Sequence, residues 1–481
     1  MTGAALTPAV AAWFLFGTFF VLMVLRVPVA FALGLACLPV LFIEPRLSPM
    51  VVFNTTFKAY NSFILLAVPF FLLTANLMNV GGITDRLVLL SRTMVGNFPG
   101  ALAQINVLLS VFFAGISGSS TADAASQGKI FIEAQVKEGY DLSFSIAITA
   151  VSAVLAVIIP PSILMIVWGG VLSVSIGALY LAGVIPGLLL GLAQMATVHV
   201  YAKVRHYPTY PRATLKEFLR AAAISVPALM TPFIVVGGIL LGWFTATESA
   251  AAAVIYAAVL SLVFYREMDR HQLWNALLET GKLSAIALFC VGTASVFGWL
   301  LAYFQIPKAL LENVTSWGLG LIGVGFFIAF VFLVVGCFLD AIPAIIIVGT
   351  TLQPLAASVH MHPVSFAIIG IVSLAFGLVT PPYGLCLMIS CAIAKVRLRY
   401  ALKDTMIMLV PMLVVLAMLI IWPEISLILP KLIRPDFLKK RLCRDGAPGR
   451  FAMSAAPVSS RRCRGIIVIF RANKRFQPCC I

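Results

Sequence analysis

Four short interruptions in an otherwise apolar chain carry the residue types that could do chemistry. The first runs Gly115-Ile116-Ser117-Gly118-Ser119-Ser120-Thr121-Ala122-Asp123, and the second is Pro160-Pro161-Ser162. The third spans Gly336 to Pro343 and contains Asp340; the fourth is Thr380-Pro381-Pro382-Tyr383-Gly384. Each proline removes a backbone donor and breaks the hydrogen-bond ladder of a helix, so carbonyls on the preceding turn are freed to act as ligands. Ser117, Ser119, Ser120 and Thr121 add hydroxyls, Gly118 adds an exposed carbonyl, and Asp123 and Asp340 add one carboxylate each. Oxygen sets of this kind suit a hard cation such as sodium, and no imidazole or thiol cluster competes. Ser117, Ser119, Ser120 and Thr380 are therefore the candidate sodium ligands. Pro160, Pro161, Ser162, Asp340, Pro343, Pro381, Pro382 and Gly384 complete the candidate ion- and substrate-binding set.

Each interruption alone has a plainer reading. A Pro-Pro pair kinks a membrane helix, a Gly-Ser cluster allows close helix packing, and Asp123 or Asp340 could simply cap a half-helix. Glu248, in Thr245-Ala246-Thr247-Glu248-Ser249, reads at least as well as a helix cap as a pathway residue. Register favours function: Gly115 and Gly336 lie 221 residues apart, and so do the two Pro-Pro pairs. Acids at mid-membrane depth are expensive and default to a functional role.

The elements that must position these residues are membrane helices. The chain has 481 residues, of which 62% are hydrophobic and 10% charged, and its mean hydropathy is +1.07. Soluble domains are about 25% charged, so a soluble enzyme is excluded. Long unbroken apolar runs exclude a β-barrel, whose strands alternate. At about 20 residues per crossing, the length predicts a multi-pass α-helical protein in a lipid bilayer. Apolar runs near 9, 27, 62, 98, 142 and 184 recur 221 residues later, and an amphipathic linker at 46–60 maps onto 267–281.

This pattern predicts two repeats, at 1–200 and 221–434, joined by a connector at 201–220. Polar residues 115–123 fall in the middle of an apolar stretch, where irregular backbone needs protein or a wet cavity beside it. Residues 98–135 and 319–357 are therefore read as re-entrant hairpins, and 142–172 and 363–392 as broken helices. Each repeat then makes five crossings plus one hairpin, and five is odd, so the second repeat is inverted. With the N-terminus outside, seventeen Lys and Arg fall on the cytoplasmic side against five outside, as the positive-inside rule requires. Inverted repeats with midplane breaks are the design of secondary transporters.

Residues 435–481 depart from that rule. They hold eleven basic and two acidic residues, +9 of the chain's +16, and four of its nine cysteines. The stretch is read either as a disordered basic extension or as sequence out of the natural frame; the second reading accounts better for its composition, and no function is expected of it. The five histidines show no zinc or catalytic spacing, no phosphate-binding loop is present, and no cofactor or nucleic-acid partner is expected.

At these residues the chain resembles the large membrane (permease) subunit of tripartite ATP-independent periplasmic (TRAP) transporters. The resemblance covers about residues 8–433. It rests on Val68-Pro69-Phe70-Phe71-Leu72-Leu73 with Gly81-Gly82-Ile83, the Gly115–Asp123 cluster and Ile159-Pro160-Pro161-Ser162. In the second half it rests on His362-Pro363-Val364-Ser365-Phe366 and Gly377-Leu378-Val379-Thr380-Pro381-Pro382-Tyr383-Gly384. It implies an elevator-type sodium symporter in the bacterial inner membrane. Its implied substrate is an organic acid such as a C4-dicarboxylate or sialic acid. Its implied partners are a small four-helix membrane subunit and a periplasmic substrate-binding protein. Ser373, where the family usually has Asn, and Tyr383, where it has a smaller residue, depart from the pattern. Two other classes stay open: a stand-alone ion-coupled anion symporter without a binding protein, and a non-transporting membrane enzyme or scaffold.

Overall fold

The computed structural model describes residues 6–437 except Arg26, Pro45, Pro49, Ser316, Trp317 and Tyr383. The tail expected to be non-native or disordered thus lies, from 438 onward, outside the described residues, as does the Tyr383 departure. Among the described residues the chain is helical, with no β-strand.

The first helices are α1 (Pro8–Val24), α2 (Val29–Ile43), the short amphipathic α3 (Met50–Tyr60), α4 (Ala67–Val80) and α5 (Ile83–Val95). A hairpin follows, α6 (Ala101–Ser117) and α7 (Ser120–Lys137), then α8 (Leu142–Ala153) and α9 (Ile163–Leu172) on either side of Pro160-Pro161. The long α10 (Ile176–Arg205) closes the first half of the chain. The second half begins with α11 (Leu215–Leu241), α12 (Ala246–Val259) and α13 (Arg270–Tyr303), followed by α14 (Ile306–Thr315). A second hairpin pairs α15 (Leu321–Gly336) with α16 (Ala341–Ala344), which continues through a π turn into α17 (Thr350–Ser358). Helices α18 (Pro363–Gly377) and α19 (Leu385–Ile393) flank Pro381-Pro382, and α20 (Leu402–Ile421) and α21 (Glu424–Ile433) end the described chain.

Local sequence explains the starts and stops. Thr214 with Glu217, Thr245 with Glu248 and Asp269 with Gln272 form capping boxes that satisfy the first free amides of α11, α12 and α13. Glu248 is therefore a cap. The turn between α4 and α5 needs Gly82, whose φ is +69° and whose Cβ would collide with the Glu267 carboxylate. Among the described residues, seven helical segments of 18 residues or more are apolar enough to cross a membrane. The ten crossings expected from hydropathy include segments that the breaks divide into shorter helices, such as α8 and α9. The linker expected at 267–281 differs more sharply. At 46–60 the chain forms a separate α3, because Asn61-Ser62 interrupts the helix before α4. The matching positions, Lys282 and Leu283, carry no breaker, so the linker is the first part of a 34-residue α13.

Helices α8 and α18 are the buried centre: every residue from Val364 to Gly377 is buried, and so is every residue from Phe144 to Ala153. Trp168 of α9 is fully buried against Phe332 of α15 and Phe366 of α18. Around this centre α2, α3, α4, α11, α12 and α13 pack on one another as an outer framework. Its outward side chains, Phe42, Phe233, Ile255 and Trp274 among them, are exposed apolar groups suited to lipid.

A polar clasp joins distant parts of the sequence. Asp141, at the N-terminal boundary of α8, accepts hydrogen bonds from Tyr207 at 2.7 Å and from Arg205. Arg205 also lies 3.6 Å from the buried Asp404, which accepts from Tyr201 at 2.8 Å and Ser143 at 2.5 Å. The Tyr207 hydroxyl, and then the Arg205 guanidinium, hold the Asp141 carboxyl below its usual range against the opposing effect of burial. A depressed carboxylate stabilises the fold at pH above its unfolded pKa of about 3.9 and loses that contribution as pH falls through the lower folded value. Asp141→Asn is therefore expected to lower the thermal midpoint of detergent-solubilised protein at neutral pH. Its difference from wild type should shrink as the pH is taken below about 4; a difference unchanged in acid would show that the Asp141 charge does not hold the clasp.

Candidate functional site

The first hairpin tip docks on the first break. The Ile163 amide donates to the Gly118 carbonyl at 3.4 Å, tying the α6–α7 turn to the start of α9. Gly118 has φ +61°, and a Cβ there would stand 2.8 Å from the Pro161 carbonyl oxygen. The tip approaches this closely because the residue has no side chain. Both Pro160-Pro161 and Pro381-Pro382 are cis. One carbonyl left free by the prolines is already occupied, since Ser162 Oγ donates to Val157 O at 2.6 Å.

Behind the tip, Ser117 and Asp123 are fully buried. Ser117 Oγ donates to Asp123 Oδ1 at 2.5 Å, while Oδ2 has no protein partner. Asp123 is thus inside the first turn of α7, whose cap residue is Ser119, and keeps one acceptor oxygen open. Ser119 Oγ pairs with Thr121 Oγ1 at 3.2 Å. The second hairpin is built differently. Asp340 is the cap residue of α16, its carboxylate accepting from the Ala341 amide at 2.8 Å, and Pro343 is buried in that helix.

Close backbone contact also brings the second hairpin to its break. A Cβ on Gly377 would lie 2.5 Å from the Gly336 carbonyl carbon, so the end of α15 crosses the end of α18 with no side chain between them. Past the break, the Cys386 amide donates to Leu378 O at 2.9 Å, and Gly384 adopts φ +45°. Thr380 Oγ1 donates to Phe376 O at 2.8 Å. Helix α19 then packs against α7 and α8, whereas α9 packs against the π turn of the second hairpin. The elements that follow the breaks are thereby exchanged across the centre.

A cavity of about 710 Å³ opens at this junction. Gly118, Ser119, Ser120, Thr121 and Asp340 line it, together with Ala341, Val157, Ile163 and Leu378. Ser117, Asp123, Pro160, Pro161 and Ser162 are buried behind that wall. Thr380, Pro381 and Gly384 are outside it, and Pro382 faces a separate apolar cavity of about 910 Å³ beside Trp13, Phe16 and Phe338 of α1 and the second hairpin. The two breaks are therefore unequal in what they meet. Ser373 is buried and donates to Ile369 O at 2.7 Å within its own helix.

Sequence reasoning missed part of the wall. Asn76 and Asn79 on α4, Asp85 on α5, Ser126 and Lys129 on α7 and Glu279 on α13 also line the 710 Å³ cavity. Ser126 Oγ donates to Asn79 Oδ1 at 3.2 Å and Asn76 Nδ2 to Thr280 Oγ1 at 2.8 Å, so the amides hold hairpin and framework at one polar seam. Two asparagines three residues apart in an apolar helix were the available signal.

Comparison with known proteins agrees on one family. The family model described as "Tripartite ATP-independent periplasmic transporter, DctM component" matches residues 16–425. The sialic acid TRAP transporter large permease protein SiaM of Vibrio cholerae is 33% identical, over 84% of this chain and 95% of its own. The C4-dicarboxylate TRAP transporter large permease protein DctM of Pseudomonas aeruginosa is 36% identical, over 78% of this chain and 88% of its own. Salmonella typhimurium YgiK, an uncharacterized protein, is 39% identical over 88% of this chain and 98% of its own. In fold, the chain is similar to the Alcanivorax borkumensis YdaH transporter, with TM-score 0.56 and 13% identity over 78% of this chain and 87% of that one.

The docking of tip on break can be tested sterically. Gly118 and Gly139 both have positive φ, but only Gly118 faces a neighbour; nothing lies within 4 Å of a Cβ at Gly139. Both alanine variants share the backbone strain, so Gly118→Ala is expected to cost about 1–3 kcal/mol more than Gly139→Ala in stability. Denaturation of the two purified variants measures the difference, and equal costs would mean that the tip does not dock on Pro161.

Proposed function

Because the chain belongs to the DctM-component family of tripartite ATP-independent periplasmic transporters, we propose that it imports a small organic acid by sodium symport. It is a large permease subunit and not an enzyme, a multi-pass protein of the bacterial inner membrane. The substrate class is taken from relatives named for sialic acid and C4-dicarboxylates. A periplasmic binding protein delivers the acid, and a small four-helix membrane subunit completes the assembly. The observation that carries this reading is the meeting of both hairpin tips in one polar cavity, with Ser119, Ser120 and Asp340 on its wall.

On this reading 1–200 and 221–434 are inverted repeats, and 201–220 is a cytoplasmic connector. The recurring tip-and-break pairs and the exchange of α9 and α19 across the centre support it. Sodium is held near the first tip by Ser117, Gly118, Ser119, Ser120 and the open oxygen of Asp123, with carbonyls around Pro160, Pro161 and Ser162. A second position lies at Asp340 and Pro343 with Thr380, Pro381, Pro382 and Gly384. The hairpins and breaks move as one body against the outer framework, carrying the cavity across the membrane as an elevator. The polar seam between α7 and α4 supports this boundary, since a few side-chain hydrogen bonds separate more easily than a packed apolar interface.

Uptake of labelled succinate and N-acetylneuraminate into proteoliposomes tests the proposal, with and without a sodium gradient, the small subunit and the binding protein. Accumulation that needs sodium and the binding protein is expected; accumulation without the binding protein would favour a stand-alone symporter, and none under any condition would remove the transport reading. Ser119→Ala and Thr380→Ala each delete at most one oxygen ligand. Each is expected to weaken sodium activation about tenfold or more, whereas Ser145→Ala, whose hydroxyl bonds only to Asp141 O within its own helix, leaves it unchanged. Wild-type sodium dependence in both break variants would place the ion elsewhere.

A further inference from the structure

Among the described residues Lys129 has no hydrogen-bond or ion-pair partner. It lies on α7 nine residues beyond Ser120, about 13 Å along the helix from the tip. Its side chain is exposed to the 710 Å³ cavity, and among the described residues it forms no ion pair or hydrogen bond. Lys137, two turns further on the same helix, is paired with Glu133 at 2.7 Å. An ammonium that no protein carboxylate neutralises, on the wall of a cavity in a membrane protein, marks a ligand path by default.

The rest of the wall sharpens the contrast. Its other charged residues are Asp85, Glu279 and Asp340, all acidic. Asp85 sits in the first turn of α5, where the helix dipole favours it, and Asp340 caps α16. An anion entering this cavity therefore meets three carboxylates and a single fixed cation. Beside that cation stands an amide donor. Ser126 and Lys129 are three residues apart and share a face of α7, and Ser126 engages the oxygen of Asn79, leaving the Asn79 Nδ2 hydrogens unclaimed. Ammonium and amide together offer a carboxylate two charge-assisted or polar donors on one side of the cavity.

We propose that Lys129 is the carboxylate-binding group of the cavity and fixes its preference for organic anions, with Asn79 of the framework adding a donor in the conformation seen here. The proposal rests on the reading of the chain as an organic-acid transporter, and assigns that reading's anion to one side chain. The neighbouring acids limit the attraction, so the anion is held loosely enough to be released.

The test uses full-length protein. Half-saturation for succinate and for N-acetylneuraminate is measured in two ways: by the ligand-induced rise in thermal midpoint in detergent, and by uptake into proteoliposomes. Lys129→Gln is expected to raise half-saturation about tenfold at saturating sodium. Lys129→Arg is expected to keep it within a few-fold, and Lys137→Gln to leave it at the wild-type value. Wild-type half-saturation in Lys129→Gln, alongside normal wild-type uptake, overturns the assignment and leaves the transport reading standing. A wild-type protein that no carboxylate stabilises, and that takes none up, overturns both.

Discussion

Every backbone amide and carbonyl in a membrane interior needs a partner within the protein, and this chain's architecture follows from that constraint. Four interruptions of the helical ladder place irregular backbone where water is scarce, and each is answered locally. Gly118 O receives Ile163 N, Val157 O receives the Ser162 hydroxyl, Leu378 O receives Cys386 N, and the Asp340 carboxylate receives Ala341 N. The interruptions are satisfied largely by one another or by their own neighbours, so tips and breaks must be assembled in contact. This explains why the glycines are where they are. A Cβ at Gly118 or Gly377 would occupy the space through which the backbones meet.

Two groups on the first hairpin keep an open valence after that accounting. Among the described residues, Asp123 keeps one buried oxygen without a partner and Lys129 an ammonium without one. The anionic open valence is deep, behind the tip, and the cationic one faces the cavity. A cation and an anion taken up together would meet complementary groups in separate places. The apolar cavity on the other side, against α1 and Pro382, offers no such groups. Polar chemistry is thus concentrated on one face of the paired hairpins.

Much of this was legible in the sequence because it was written in residue types that have few uses. Proline pairs in apolar runs, glycine beside serine and an isolated aspartate in a membrane segment mark breaks and tips whatever the fold around them. The spacing of 221 residues grouped them in pairs, and Thr245 with Glu248 announced a helix cap. The long α13 was less legible, since the expected linker matched α3 in polarity and differed only in lacking a breaker at 282–283. The exchange of α9 and α19 was not legible at all, because apolar helices carry little information about which apolar neighbour they choose. Lys129 was visible only as one positive charge among many. Its significance comes from the cavity and from the absence of a partner, both of which are properties of packing.

The weakness of each individual contact in the cavity is itself consistent with transport. A carrier must bind well enough to select and loosely enough to let go, which favours several modest ligands over one strong one. Asp123 already shares one oxygen with Ser117, and Asp340 already holds a helix amide. Neither acid is a free carboxylate waiting for a divalent metal, and no group of three or more His, Cys, Asp or Glu side chains suited to a metal ion occurs among the described residues. What the tips present instead is hydroxyl and carbonyl oxygen with one partly committed carboxylate apiece. Such a set can exchange a monovalent cation's hydration shell for protein oxygens with little net gain. On the proposed reading, the anion supplies the remaining attraction, so cation and acid bind best together and leave together.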